Sequence, residues 1–258
     1  MEQQATPTAD FQPKRMALLS ADVLKIIAIT AMFIDHTAWM FIPTNSALGI
    51  ICHIIGRTTI PIMCYLIAEG FFYTRNVGKY ALRLFIFALV SHLPFFFFQQ
   101  GSFAISWGSF FDSFSNTSVI WSLFLGLVAL IVLNAKGMNI ILKLVLIAAL
   151  CVAAIPGNWS WFAVLWVVGF SFFRGKPKWQ FISFSVVALL FVSRQTLLPL
   201  IGGSDGWAVN FFQLGLFLTI PLLLMYNSAA KPRKSLKWVF YIFYPLHLLI
   251  LVLIKVLI

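Results

Sequence analysis

Asp35 and His36 stand side by side within Ile34-Asp35-His36-Thr37, inside an otherwise apolar run. His53 and Arg57 lie in the next apolar run, four residues apart and so on one face of a helix. Near the C-terminus, Phe240-Tyr241-Ile242-Phe243-Tyr244-Pro245-Leu246-His247 sets Tyr244 and His247 three apart, again on one face. These types make up a general base, a positive clamp and a hydroxyl donor in a dry setting. A buried histidine beside a carboxylate accepts a proton from an incoming nucleophile. The Arg57 guanidinium holds a phosphate or a developing oxyanion with fixed donors. The same residues also admit a structural reading, in which Asp35, Arg57 and one histidine form an ion-pair knot between helices. His53, His92 and Glu69 read as structural. Asp22 and Lys25, three apart, read as a local salt bridge, with a cofactor mouth as the alternative. The sequence has no Walker loop, no Gly-rich dinucleotide turn, no GxSxG and no metal-spaced cysteines.

The elements that must position these residues are transmembrane helices. Of 258 residues, 61% are hydrophobic and 10% charged, and the mean hydropathy of +0.97 leaves too little polar surface for a soluble domain. A span needs about 20 mostly apolar residues, and in hydrocarbon such a run must be helical to satisfy its backbone. A β-barrel would alternate in short segments, whereas these runs are continuous. The runs predict an all-α polytopic membrane helix bundle, with about nine transmembrane helices near 18–42, 47–73, 79–98, 117–134, 139–155, 159–173, 178–198, 207–226 and 237–257. The two short runs around Pro156-Gly157-Asn158 also fit one re-entrant hairpin. Residues 1–15 read as a disordered cytoplasmic tail, and 16–258 as a single transmembrane helical domain.

The net charge of +11 would point to nucleic acid on a soluble protein, but here the basic residues fall between apolar runs, so the bilayer is the partner and nucleic acid is not. With nine spans, fourteen basic residues fall in segments on one side, against Arg194 and Lys255 on the other. The positive-inside rule then places the N-terminus inside and the C-terminus outside. Trp39, Trp107, Trp121, Trp159, Trp161 and Trp207 fall near outer boundaries, as an aromatic belt does. The loop at 99–117 reads equally as a lid over a cleft or as an interfacial loop held by Phe110, Phe111 and Phe114. Cys52, Cys64 and Cys151 lie in apolar segments and read as packing residues.

A charged residue inside a span costs roughly 2.5–3.5 kcal/mol on insertion scales, which makes it a functional candidate by default. The second helix runs back from the outer surface, so Arg57 reaches the depth of Asp35, and an Arg–Asp pair there offsets much of the burial cost. A proton-coupled transporter using the same Asp, His and Arg as a relay is the alternative to a group-transfer enzyme, although no internal repeat of the kind many transporters carry is visible.

The segments Asp22-Val23-Leu24-Lys25 with Ile34-Asp35-His36, Ile55-Gly56-Arg57-Thr58-Thr59-Ile60-Pro61, Ala68-Glu69-Gly70-Phe71 with Thr74-Arg75-Asn76, and Phe240 to Leu248 resemble the TraX family. The resemblance runs end to end and is weakest between about 99 and 235. It implies a bacterial protein of the cytoplasmic membrane, with the chemistry of that family: N-acetylation of the N-terminal alanine of conjugative pilin, with acetyl-CoA as the donor. On that basis His36 acts as the base, oriented by Asp35, and Arg57 binds donor phosphate or the oxyanion. Tyr244 and His247 complete the site. The expected partners are acyl-CoA and an acceptor protein or small molecule; no metal is expected.

Overall fold

Polar side chains set the starts of several helices. Ser20, Ser46 and Asn76 each accept a hydrogen bond from the backbone N–H three residues on, at 3.3, 3.0 and 2.8 Å, the usual role of such residues at an N-cap. In the computed structural model, which describes residues 18–203, 207–227 and 237–258, these caps open α1 (Ala21–Phe41), α2 (Ala47–Gly56) and α4 (Val77–Val90). The remaining helices are α3 (Thr59–Tyr73), α5 (His92–Gln100), α6 (Trp107–Asp112), α7 (Val119–Leu133), α8 (Ile140–Ala153), α9 (Ser160–Phe172), α10 (Pro177–Ile201), α11 (Thr219–Leu224) and α12 (Lys237–Leu257). The 1–15 tail and Lys231, Arg233 and Lys234 lie outside the described residues.

Two expected helices are each broken once. The run from 47 to 73 turns at Arg57-Thr58 between α2 and α3. Pro61 lies four residues after Arg57, so it cannot donate to the Arg57 carbonyl and its ring crowds that carbonyl. The helix expected near 79–98 breaks at Ser91, three residues before Pro94. A third expected helix takes another form: Trp207–Leu218 is a 3-10 helix of 12 residues leading into α11, far longer than the three or four residues usual for that geometry. Its close fit against α2 depends on Gly215, where a Cβ would collide with the Ile54 backbone.

Contacts between connections sort the helix ends into two groups. The Leu18 and Leu19 N–H groups donate to Met225 O at 3.0 Å, and Arg174 is bonded to Glu69, so the start of α1 shares an end with the termini of α3, α9 and α11. At the opposite end, the Asn158 N–H donates to Thr117 O at 3.0 Å, and Asn210 donates to Gln195 O at 2.8 Å. The run from 139 to 173 forms two helices, α8 and α9.

The core is apolar and aromatic, with Trp166, Phe162, Phe170, Leu127 and Leu130 fully enclosed where α3, α7 and α9 meet. The outside is equally apolar: α8 buries none of its residues and exposes Ile140, Ile141, Leu144, Val145 and Val152. A surface that oily needs lipid as its solvent. Ala21–Phe41, Ala47–Tyr73, Val77–Gln100, Pro177–Ile201 and Trp238–Leu257 are long and apolar enough to cross a bilayer, and four shorter apolar helical stretches accompany them among the described residues. The molecule is a multi-pass membrane helix bundle.

Candidate active site

Gly56 and Pro61 together deliver Arg57 to Asp35. Gly56 packs so tightly on α1 that a Cβ there would strike the Asp35 side chain. The turn imposed by Pro61 leaves Arg57 at the α2–α3 junction, where its Nη2 donates to Asp35 Oδ2 at 2.5 Å. The other oxygen, Asp35 Oδ1, accepts from His53 Nδ1 at 2.8 Å. Arg57 Nη1 reaches Gln213 Oε1 at 3.4 Å, and the guanidinium lies over the rings of Trp159 and Phe212 at 5.2 and 5.3 Å. Asp35, His53 and Arg57 are all buried.

With both its oxygens occupied, Asp35 does not orient His36. The expectation that it would is corrected by the geometry: adjacent residues on a helix point about 100° apart, so Asp35 faces α2 while His36 faces α12. His36 Nδ1 instead lies 2.7 Å from His247 Nε2, with the two rings nearly parallel at 4°. His247 Nδ1 lies 2.8 Å from the carbonyl of Phe243. These distances assign the protons. A carbonyl only accepts, so His247 Nδ1 donates. Neutral His247 then has a lone pair at Nε2, which accepts from His36 Nδ1–H. Neutral His36 is left with its lone pair at Nε2, the tautomer of a general base.

His36 and Arg57 both line a cavity of about 1190 Å³ that extends along the bundle. Its wall includes Lys25 and Met40 of α1, fifteen residues apart, a rise of about 22 Å. One end is basic and aromatic, with Lys25, Arg75, Arg83, Tyr80, Trp238 and Tyr241; the other has Trp39, Asn158, Trp159, Gln195, Asn210 and Lys255. Tyr244 also lines the cavity, its ring 6.4 Å from His36 and 5.7 Å from His247. His247 supports His36 from behind and is not part of the wall. Lys25 Nζ lies 3.6 Å from Asp22 Oδ1, the local salt bridge expected, and Lys25 also lines the basic end of the cavity.

Other residues lie elsewhere. Glu69 accepts two hydrogen bonds from Arg174, at 2.8 and 3.3 Å. His92 bonds Ser113 Oγ at 2.9 Å and stacks on Phe114 at 4.8 Å, pinning the 99–117 loop. Of this stretch, Gln99 lines the cavity and none of residues 100–118 does. Trp107, 78% exposed, projects from it as an interfacial residue does. Trp159, expected in the aromatic belt, instead turns inward beneath Arg57. Sequence reasoning passed over Gln213, although a lone amide in Phe211-Phe212-Gln213-Leu214 was a visible signal. Among the described residues, no three His, Cys, Asp or Glu side chains converge as metal ligands.

The fold and site define a class: a multi-pass membrane protein with a buried Asp–Arg–His cluster and a hydrogen-bonded pair of histidines, one of them on the wall of a cavity. The TraX protein family matches residues 20–255, and the chain belongs to that family. It is also 30% identical over 244 residues to "Probable fimbrial assembly protein FimC, serogroup H1" of Dichelobacter nodosus, covering 90% of this chain and 94% of that one. No solved structure matches.

Proposed function

We propose that this protein is an acetyl-CoA-dependent acetyltransferase of the bacterial cytoplasmic membrane, moving an acetyl group to an acceptor amine or hydroxyl. The observation that carries the reading is the His36–His247–Phe243 carbonyl chain, which leaves His36 Nε2 as a base on the cavity wall. The family resemblance and the fimbrial-assembly name of the relative support a pilus-associated acceptor. In this reading the chain crosses nine times with its N-terminus inside, and the basic end of the cavity opens to the cytoplasm. Lys25, Arg75 and Arg83 draw in the anionic donor there, and its arm extends along α1 toward His36.

The acceptor attacks the thioester carbonyl while His36 Nε2 takes its proton. Arg57, fixed by Asp35 and Gln213, stabilises the oxyanion of the tetrahedral intermediate. The carbon–sulfur bond then breaks, and the CoA sulfur recovers the proton from Nε2. Asp35 serves by holding Arg57, and His247 by fixing the tautomer of His36. The test is purified protein in liposomes with acetyl-labelled CoA and an envelope fraction from pilus-bearing cells. Label should reach an envelope component with wild type and not with His36→Ala. An acetyl-CoA pool left intact under all conditions would refute the reading.

A further inference from the structure

Arg57 has one strong tie and one weak one. Its Nη2 donates to Asp35, whereas the 3.4 Å reach of Nη1 to Gln213 Oε1 exceeds the usual hydrogen-bond range. Nε has no hydrogen-bond partner among the described residues. A guanidinium held firmly at one corner can pivot about that bond and swing its other N–H groups out of line. Donors stabilise a developing oxyanion only when they already stand about 2.7–3.1 Å from where it forms. The plane of the group is therefore set by what covers its faces, and it lies over the rings of Trp159 and Phe212 at 5.2 and 5.3 Å. Phe212 belongs to the same cluster, its ring 5.1 Å from that of His53, which bonds Asp35. Trp159 comes from a separate element and lines the cavity beside Arg57.

The chain around Trp159 is held on both sides. The Thr117 N–H donates to Pro156 O at 2.5 Å and the Asn158 N–H donates back to Thr117 O at 3.0 Å, which clips the turn to the start of α7. Gly157 sits so close to α7 that a Cβ there would collide with Ser122 Oγ. Ser160 then enters α9 with φ 49°, in the left-handed region that is costly for a serine and persists where its surroundings over-determine it. The indole itself stacks on Phe191 of α10, with centroids 5.0 Å apart and planes at 28°. Resting on the acetyltransferase reading, we infer that Trp159 is a positioning residue of the reaction: its indole fixes the plane of the Arg57 guanidinium, and with it the direction of the donors that meet the oxyanion. Asp35 fixes where the group sits, and the indole fixes how it is turned. Tryptophan suits the task, because its face attracts a cation more strongly than that of Phe or Tyr, and more so away from water.

The test varies the ring and keeps its shape. Full-length protein is purified with Trp159→Phe, with Trp159→Leu, or with tryptophan bearing one to four ring fluorines inserted at position 159 by nonsense suppression. Each is assayed in liposomes with acetyl-labelled CoA and the envelope fraction. Fluorine barely alters the outline of the indole but draws electron density from its face, weakening its hold on a cation. Turnover should fall stepwise with the number of fluorines. Trp159→Leu should lose about 2–30-fold, the range a cation–π contact converts to, and Trp159→Phe should recover part of that. KM for acetyl-CoA should stay constant throughout, as it does when the interaction lost is made only in the transition state. A ring that merely fills space would leave turnover indifferent to fluorine; that result would overturn the inference and leave the acetyltransferase reading standing. Acetyl-CoA left unconsumed by the wild type would remove both.

Discussion

Replacing His247 tests the assignment of His36 as base more sharply than replacing His36 itself. His247→Leu keeps roughly the same volume but takes away the lone pair that accepts from His36 Nδ1 at 2.7 Å. A buried donor left unsatisfied costs about 1–3 kcal/mol. That cost falls on the tautomer with Nε2 free, and the ring escapes it by shifting its proton to Nε2, which is then useless as a base. With each 1.36 kcal/mol worth tenfold, kcat should fall by roughly 5–150-fold. His36→Ala removes the base outright and should cost about 10²–10⁴-fold. His247→Gln, whose Oε1 can accept in place of Nε2, should recover part of the loss. The assay is initial-rate release of CoA thiol from acetyl-CoA at saturating acceptor, with membrane insertion and yield compared for each variant. KM for acetyl-CoA should stay constant, because His247 does not line the cavity. A His247→Leu protein as active as wild type, or a His247→Gln protein no better than it, would refute the relay.

Arg57→Ala strands Asp35 in the interior, and breaking such a buried pair costs about 3–5 kcal/mol in soluble proteins; thermal denaturation in detergent should show a large loss that Asp35→Asn in the same chain partly restores. Gly56→Ala should destabilise by about 1–3 kcal/mol through overpacking against Asp35, read by the same melt. Topology reporters fused after Lys136 and Lys178 should report cytoplasm, and one after Asp112 the opposite side; two inside fusions reading as external would overturn the nine-span arrangement.

The helical, membrane-embedded class was legible because it rests on local quantities. Run length and continuity of apolar residues decide it wherever the chain goes. The Asp35–Arg57 contact was nearly as legible, since two adjacent antiparallel helices with a small residue beside the arginine have few other ways to satisfy both charges. The breaks at Arg57-Thr58 and Ser91 could have been drawn from Pro61 and Pro94. The 3-10 geometry of Trp207–Leu218 has no such local mark, and its fit against α2, where a Cβ on Gly215 would meet the Ile54 backbone, is a tertiary contact.

What the residues determined alone is which polar groups are buried in apolar helices and therefore need partners. Which partner each one takes was decided by tertiary structure. Asp35 and His36 are neighbours in sequence, and adjacency invites pairing them, yet about 100° of helical rotation sends one toward α2 and the other toward α12. His36 and His247, 211 residues apart, meet because α1 packs against α12. Trp159 and Gln213 reach Arg57 from two further elements. Local pattern records how strongly a side chain must be satisfied; only the packing of distant helices selects what satisfies it.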